Sequence, residues 1–120
     1  IIYCKMIILF YKGDFQKALD KSNEIEFTSI FDKIALKNIV IRCYYELNEF
    51  SLFDYYKDSY KKFLHTNRQI GSERKERGLN FIRMLDNMIR NKNSSSIDLK
   101  KIFNELSPMD CRKWVYDKLF

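Results

Sequence analysis

Apolar residues recur along most of this chain at spacings of three and four, the period of helices that cover one face. From Ile1 to about Lys12 they come without a capping residue, and after Gly13-Asp14 the pattern restarts and runs to about Ile25. Ser29 followed by Asp32 resembles a capping box, with the short Asp in place of Glu, and opens a helix to about Leu47. Within it nearly every residue from Ile34 to Tyr45 is apolar, as expected of a helix covered on most sides, and only Lys37, Asn38 and Arg42 interrupt. Glu49 to Leu64 follows, with Phe53, Tyr56, Tyr60, Phe63 and Leu64 in one stripe. Gly71-Ser72 starts a long helix to about Arg90, with Leu79, Ile82, Leu85 and Ile89 on one side. The polar run Asn91 to Ser96 is the clearest break, and Leu99, Ile102, Phe103 and Leu106 mark a short helix after it. In Ser107-Pro108-Met109-Asp110, Ser can cap, Pro suits the first helical position and Asp sits three after the Ser. The last helix is therefore predicted over 108–118, with Cys111, Val115 and Leu119 sealing its end of the structure. The expectation is an all-α chain of about seven helices.

The helices also repeat. The segment Tyr11 to Leu19 recurs in degraded form 35 residues later as Glu46 to Asp54, and each copy sits where one helical pattern ends and the next begins. Gly13, Asp14, Phe15 and Ala18 carry a small turn residue, a polar residue, an aromatic and then an alanine. Asn48, Glu49 and Phe50 repeat the first three, Phe53 stands at the alanine place, and Leu9 and Tyr44 occupy an aromatic place on the preceding helix. This spacing resembles the tetratricopeptide repeat in a divergent form. Met6 and Ile41 replace its small residue, and Ile30 and His65 stand where a proline commonly closes the repeat.

The resemblance implies antiparallel helical hairpins stacked as a right-handed, tetratricopeptide-like α-solenoid. It implies two such hairpins over 1–66, and over 67–120 a divergent third helical repeat with a C-terminal capping helix, all one continuous domain. It further implies a non-enzymatic protein–protein interaction module or scaffold, since stacked hairpins form extended binding surfaces. In this family the first helix of each hairpin lines the concave groove, which assigns Asn38, Arg42 and Tyr45 to a partner groove. Asn80, Arg83 and Asn87, at i, i+3 and i+7 of the fifth helix, form a comparable stripe that extends it. Asn offers a donor and an acceptor to an extended peptide backbone, and Arg grips a carboxylate. The stripe on the third helix also reads simply as its water-facing side.

Composition supplies the material for such a body. At 120 residues the chain is long enough for one core, and ten Phe and eight Tyr provide apolar bulk. Three Gly and one Pro leave few turn signals, so most of the chain runs in long helices. The uncapped apolar start and the missing initiator Met suggest the C-terminal part of a longer chain, with an apolar stacking face that leaves the oligomeric state open.

Charge is uneven. Residues 1–56 carry 7 Lys and Arg against 8 Asp and Glu, whereas residues 57–120 carry 15 against 8. The densest part includes Lys57, Lys61, Lys62, Arg68, Arg74, Lys75 and Arg77. One reading is a phosphate track in a nucleic-acid-binding helical domain, since Lys and Arg displace condensed counterions there. Glu73 and Glu76 interrupt the run, and the nearby rings follow the core stripe, so a solvated face or an acidic protein partner ranks above nucleic acid.

Catalytic chemistry finds little footing. His65 is the only histidine, which removes the common Ser-His and Cys-His arrangements and most metal-ligand sets, and no Gly-rich phosphate loop exists. No catalytic, cofactor-binding or metal site is expected. Cys4, Cys43 and Cys111 are odd in number and widely spaced, which points to a reducing, cytoplasmic compartment, with Cys111 a small buried hydrophobe. No run approaches the roughly 20 apolar residues of a membrane span.

Overall fold

The structure is a computed structural model, and it describes residues 2–27, 29–91 and 96–120. Among these residues it is all-α, with seven helices and no strand. Two units of the chain, 1–58 and 59–120, each close on themselves.

The first unit holds α1 (Ile2–Tyr11), α2 (Phe15–Ser22), α3 (Ile30–Glu46) and the opening turns of α4 (Phe50–Thr66). α1 packs on α2 and α3, and α2 packs on α3. Helix starts and stops follow the polar punctuation. Ser29 is the extended N-cap of α3, and Lys33 N–H donates to its carbonyl at 3.1 Å, although its side chain makes no capping bond. The run Asn38 to Cys43 is buried at six consecutive positions, in keeping with the nearly unbroken apolar stretch of α3. Met6, Ile34, Ile41, Cys43 and Phe53 are fully buried around it.

The two turns of this unit share one backbone geometry. Gly13 has φ 87° and Asn48 has φ 57°, the left-handed conformation that ends many helices. Gly13 N–H donates to Phe10 O at 3.1 Å and Asp14 N–H to Leu9 O at 2.9 Å. Thirty-five residues on, Asn48 N–H donates to Tyr45 O at 3.2 Å and Glu49 N–H to Tyr44 O at 3.1 Å. These are the paired closing bonds of a left-handed C-cap, which satisfy carbonyls the helix leaves open. Each turn also starts the next helix alike, through Ala18 N–H to Asp14 O at 3.0 Å and Phe53 N–H to Glu49 O at 2.8 Å.

The second unit takes the rest of α4 with α5 (Ser72–Arg90), α6 (Ser96–Glu105) and α7 (Arg112–Leu119). α6 packs on α5 and on α7. The buried side of α5 is Gly78, Phe81, Ile82, Met84, Leu85 and Met88. Leu79 and Ile89 are only half-buried, so the covered face is rotated from the one read in the sequence. Gly78 is the reason α4 and α5 approach so closely, since a Cβ there would lie 2.9 Å from Cδ1 of the fully buried Leu64. The polar break after Arg90 falls largely on 92–95, outside the described residues.

The last helix departs from its prediction. α7 begins at Arg112, not at Pro108, because Cys111 stands in the left-handed region at φ 55° and interrupts the helical backbone. Pro108 lies beyond a cis Ser107–Pro108 bond, and the backbone of this segment turns toward α5. Pro108 O accepts from Asn80 Nδ2 at 2.7 Å, and Asp110 N–H donates to Arg77 O at 3.2 Å. Those polar groups are satisfied across the unit and not within a helix. Cys111 is half-buried, Val115 is fully buried and Leu119 is half-buried.

Candidate functional site

The α3 stripe lies inside the first unit. Asn38 is 8 %, Arg42 7 % and Tyr45 9 % exposed. Arg42 Nε donates to Asn38 O at 3.0 Å, one helical turn back, and its guanidinium lies 4.7 Å from the centre of the Phe10 ring. Arg42 is therefore desolvated and held over an aromatic face, an arrangement that suits the flat, weakly hydrated guanidinium. Phe10 is itself packed edge-on against Tyr11 and Phe15, so α1, α2 and α3 meet around this cation.

A second polar cluster joins α3 to the start of α4. The Tyr44 and Tyr56 rings are 5.7 Å apart, and Lys37 Nζ sits 5.6 Å from the Tyr56 centre. Burial, aided by Lys33, pulls Lys37 below the usual ammonium range. Burial pushes Tyr56 well up, with Tyr44 adding to it, and raises Tyr44 and Tyr45 as well. Cys43 is buried, and burial pushes its thiol up to about 12, with Arg42 opposing the rise and Glu46 adding to it, so the reactive thiolate is suppressed. These shifts arise mainly from dry packing. A small polar recess of about 190 Å³ opens beside Tyr44, between α2 residues Gln16 and Asp20 and the α3–α4 turn at Glu49.

The α5 stripe belongs to the second unit and is more open. Arg83 is exposed and Asn87 half-buried, and the two line a recess of about 400 Å³ with Ile102, Glu105 and Leu106. Asn87 Nδ2 donates to Arg83 O at 2.8 Å. Asn80 faces elsewhere, holding Pro108.

The basic residues are divided between the units. Lys57 belongs to the first and lies 3.5 Å from Asp54 of its own helix. Lys61 and Lys62 are exposed on α4, while Arg74, Lys75 and Arg77 are half-buried on α5, with Arg77 3.0 Å from Glu73. His65 is exposed in the last turn of α4. No cluster of His, Cys, Asp or Glu able to hold a metal ion occurs among the described residues.

One feature escaped the sequence pattern altogether. Between α6 and α7 an open cleft of about 790 Å³ is lined by Phe103, Tyr116 and Phe120 together with Arg112, Lys113 and Asp117. Tyr116 and Phe120 stack at 4.6 Å and 12°, and Phe103 lies 6.2 Å from Tyr116 and 5.8 Å from Phe120. Two cations ride on these rings, Arg112 at 4.1 Å from Phe103 and Lys100 at 4.9 Å from Phe120. Phe103 was legible as a residue of the apolar stripe of its helix, whereas the sequence pattern assigned Tyr116 and Phe120 no role.

Comparison with protein-family models, with curated proteins and with solved structures finds no significant match to this chain. No helix among the described residues is long and apolar enough to cross a membrane.

Proposed function

We propose that the chain is a divergent tetratricopeptide-like repeat, a right-handed α-solenoid that binds a partner protein or peptide and catalyses nothing. The observation that carries this reading is the recurrence of the left-handed turn at Gly13 and Asn48 with the same closing hydrogen bonds 35 residues apart. Burial recurs at the same interval, at Met6 and Ile41, Phe10 and Tyr45, and Ala18 and Phe53. Helical hairpins that repeat in this way bury their apolar faces by stacking and leave helix surfaces for a partner. With Asn38, Arg42 and Tyr45 packed inside the first unit, the recess at Arg83 and Asn87 is the part of the expected groove most open to a ligand.

An experimental structure tests the architecture. Residues 1–35 should superpose on 36–70, related by a right-handed rotation, and hairpins packed in any other order would end the solenoid reading. A display selection tests the function. Peptides that bind saturably near 0.15 M salt are expected, whereas single-stranded nucleic acid should lose its hold as salt rises through that range. Nucleic-acid binding that persists there, with no peptide selected, would replace the proposal with a role for Lys61, Lys62, Arg74 and Lys75.

A further inference from the structure

We infer that the α6–α7 cleft is a docking site for a short acidic, amphipathic peptide segment, an inference that rests on the interaction-module reading above. The apolar floor is exposed where a soluble surface ordinarily hides it. Tyr116 on α7 is 50 % exposed and Phe120, just after the helix, 56 % exposed, and the two stack beside the buried Phe103. Such a floor accepts an aliphatic or aromatic side chain of a partner.

The charge around the floor selects the partner. Lys100, Arg112 and Lys113 surround it, against Asp117 alone among the lining residues. Lys113 and Asp117 form a 3.1 Å pair with both side chains largely in water, and such a pair exchanges readily for an incoming carboxylate. The unit behind the cleft carries 14 Lys and Arg against 7 Asp and Glu, so its field also draws an acidic segment. Carboxylates flanking the apolar side chain meet Arg112 and Lys100 while those cations remain on their rings, so contact and charge complement each other.

The same geometry disfavours a nucleobase. Base stacking needs a free ring face. Phe120 already carries both Tyr116 and the Lys100 ammonium, and Phe103 is covered by Arg112. The apolar pocket between these rings fits an aliphatic or aromatic side chain.

The test uses a library of short synthetic peptides with one central Leu, Phe or Trp flanked by Asp and Glu, measured by calorimetry against the parent chain, Tyr116→Ser, Phe120→Ala and Arg112→Gln. Lys-flanked versions of the same peptides and a single-stranded oligonucleotide serve as competitors, and circular dichroism confirms that each variant stays helical. Acidic peptides should bind the parent, and each substitution should weaken binding by about tenfold or more. Tyr116→Ser and Phe120→Ala remove exposed side chains, so they test the site even if Arg112→Gln disturbs the packing of Phe103. Equal binding of Lys-flanked peptides, or displacement by the oligonucleotide, would overturn the assignment. So would a concentration-dependent dimer abolished by Tyr116→Ser, since the occupant would then be a second copy of the chain. Peptides that bind the parent and all three variants alike would refute the cleft but leave the module reading standing. Failure of every peptide, acidic or not, would remove both.

Discussion

Arg42→Ala is expected to destabilise the fold before it alters any binding. The side chain is 7 % exposed, donates from Nε to Asn38 O and sits 4.7 Å from the Phe10 ring centre. A hydrogen bond from a charged donor contributes about 1.5–3 kcal/mol net, and a desolvated cation–π contact up to about 2 kcal/mol. The Asn38 carbonyl lies within a helix and keeps its backbone partner when Arg42 is shortened, so the acceptor is not orphaned and the lower parts of both ranges apply. Truncation should therefore cost about 2–3 kcal/mol. For a chain of this size that is a fall of about 8–12 °C in Tm, and the urea midpoint should fall without a change in slope. Arg42→Met keeps the stem and removes the charge, so it should recover part of the loss and show how much is packing. A Tm for Arg42→Ala within about 2 °C of the parent would refute this reasoning, because a buried, doubly engaged arginine cannot be removed without effect. That result would return Arg42 to the partner groove.

Alkaline titration should show the buried Cys43. Its ordinary value is near 9 and burial raises it to about 12, so between those values the unfolded chain releases a proton that the folded chain retains. Stability is then intact below pH 9 and falls as pH rises, by up to about 1.4 kcal/mol per unit, while the raised tyrosines add to the fall above pH 10 and the lowered Lys37 opposes it. Cys43→Ala should flatten the slope just above pH 9 in urea melts at stepped pH, and an unchanged slope would show that Cys43 is not the group responsible. Asn80→Ala should cost about 1–2 kcal/mol and raise amide exchange around 108–112, because Asn80 supplies a hydrogen bond that holds Pro108 against α5. Exchange unaltered there would mean that the segment is held by other contacts. Gly13→Ala should cost about 1–2 kcal/mol, since nothing lies within 4 Å of the added Cβ and only the left-handed φ opposes it. Asn48→Gly at the equivalent turn should be within about 0.5 kcal/mol of the parent by urea denaturation, and a large loss there would mean that the Asn side chain matters more than the turn.

Helix content and the repeated turn were legible along the chain because both are local. A 3.6-residue apolar period specifies a helix wherever it is sustained, and Gly13 and Asn48 announce positions where only a left-handed residue closes the helix. The near-continuous apolar run of α3 likewise announced a helix covered on most of its sides. Where sequence and structure part, long-range contacts decide. The Ser107-Pro108 start signal is strong in isolation, yet Asn80 and Arg77, some 30 residues away, take the polar groups that a helix would have used, and α7 begins four residues later. Asn38 and Arg42 read equally well as a wet stripe, because the chain alone does not say that Phe10 will supply a ring over the guanidinium.

The sequence by itself determined an all-helical chain, the places where most of its helices begin and end, and the 35-residue interval at which its turn is repeated. These follow from backbone sterics and from the alternation of apolar and polar residues within one or two helical turns. Only the tertiary structure decided which side chains became accessible. It buried Arg42, engaged Asn80 and gathered Phe103 of α6, Tyr116 of α7 and the C-terminal Phe120 beneath Lys100 and Arg112. Exposure of a side chain depends on what packs across from it, and that partner lies far away in sequence for the residues that line a surface.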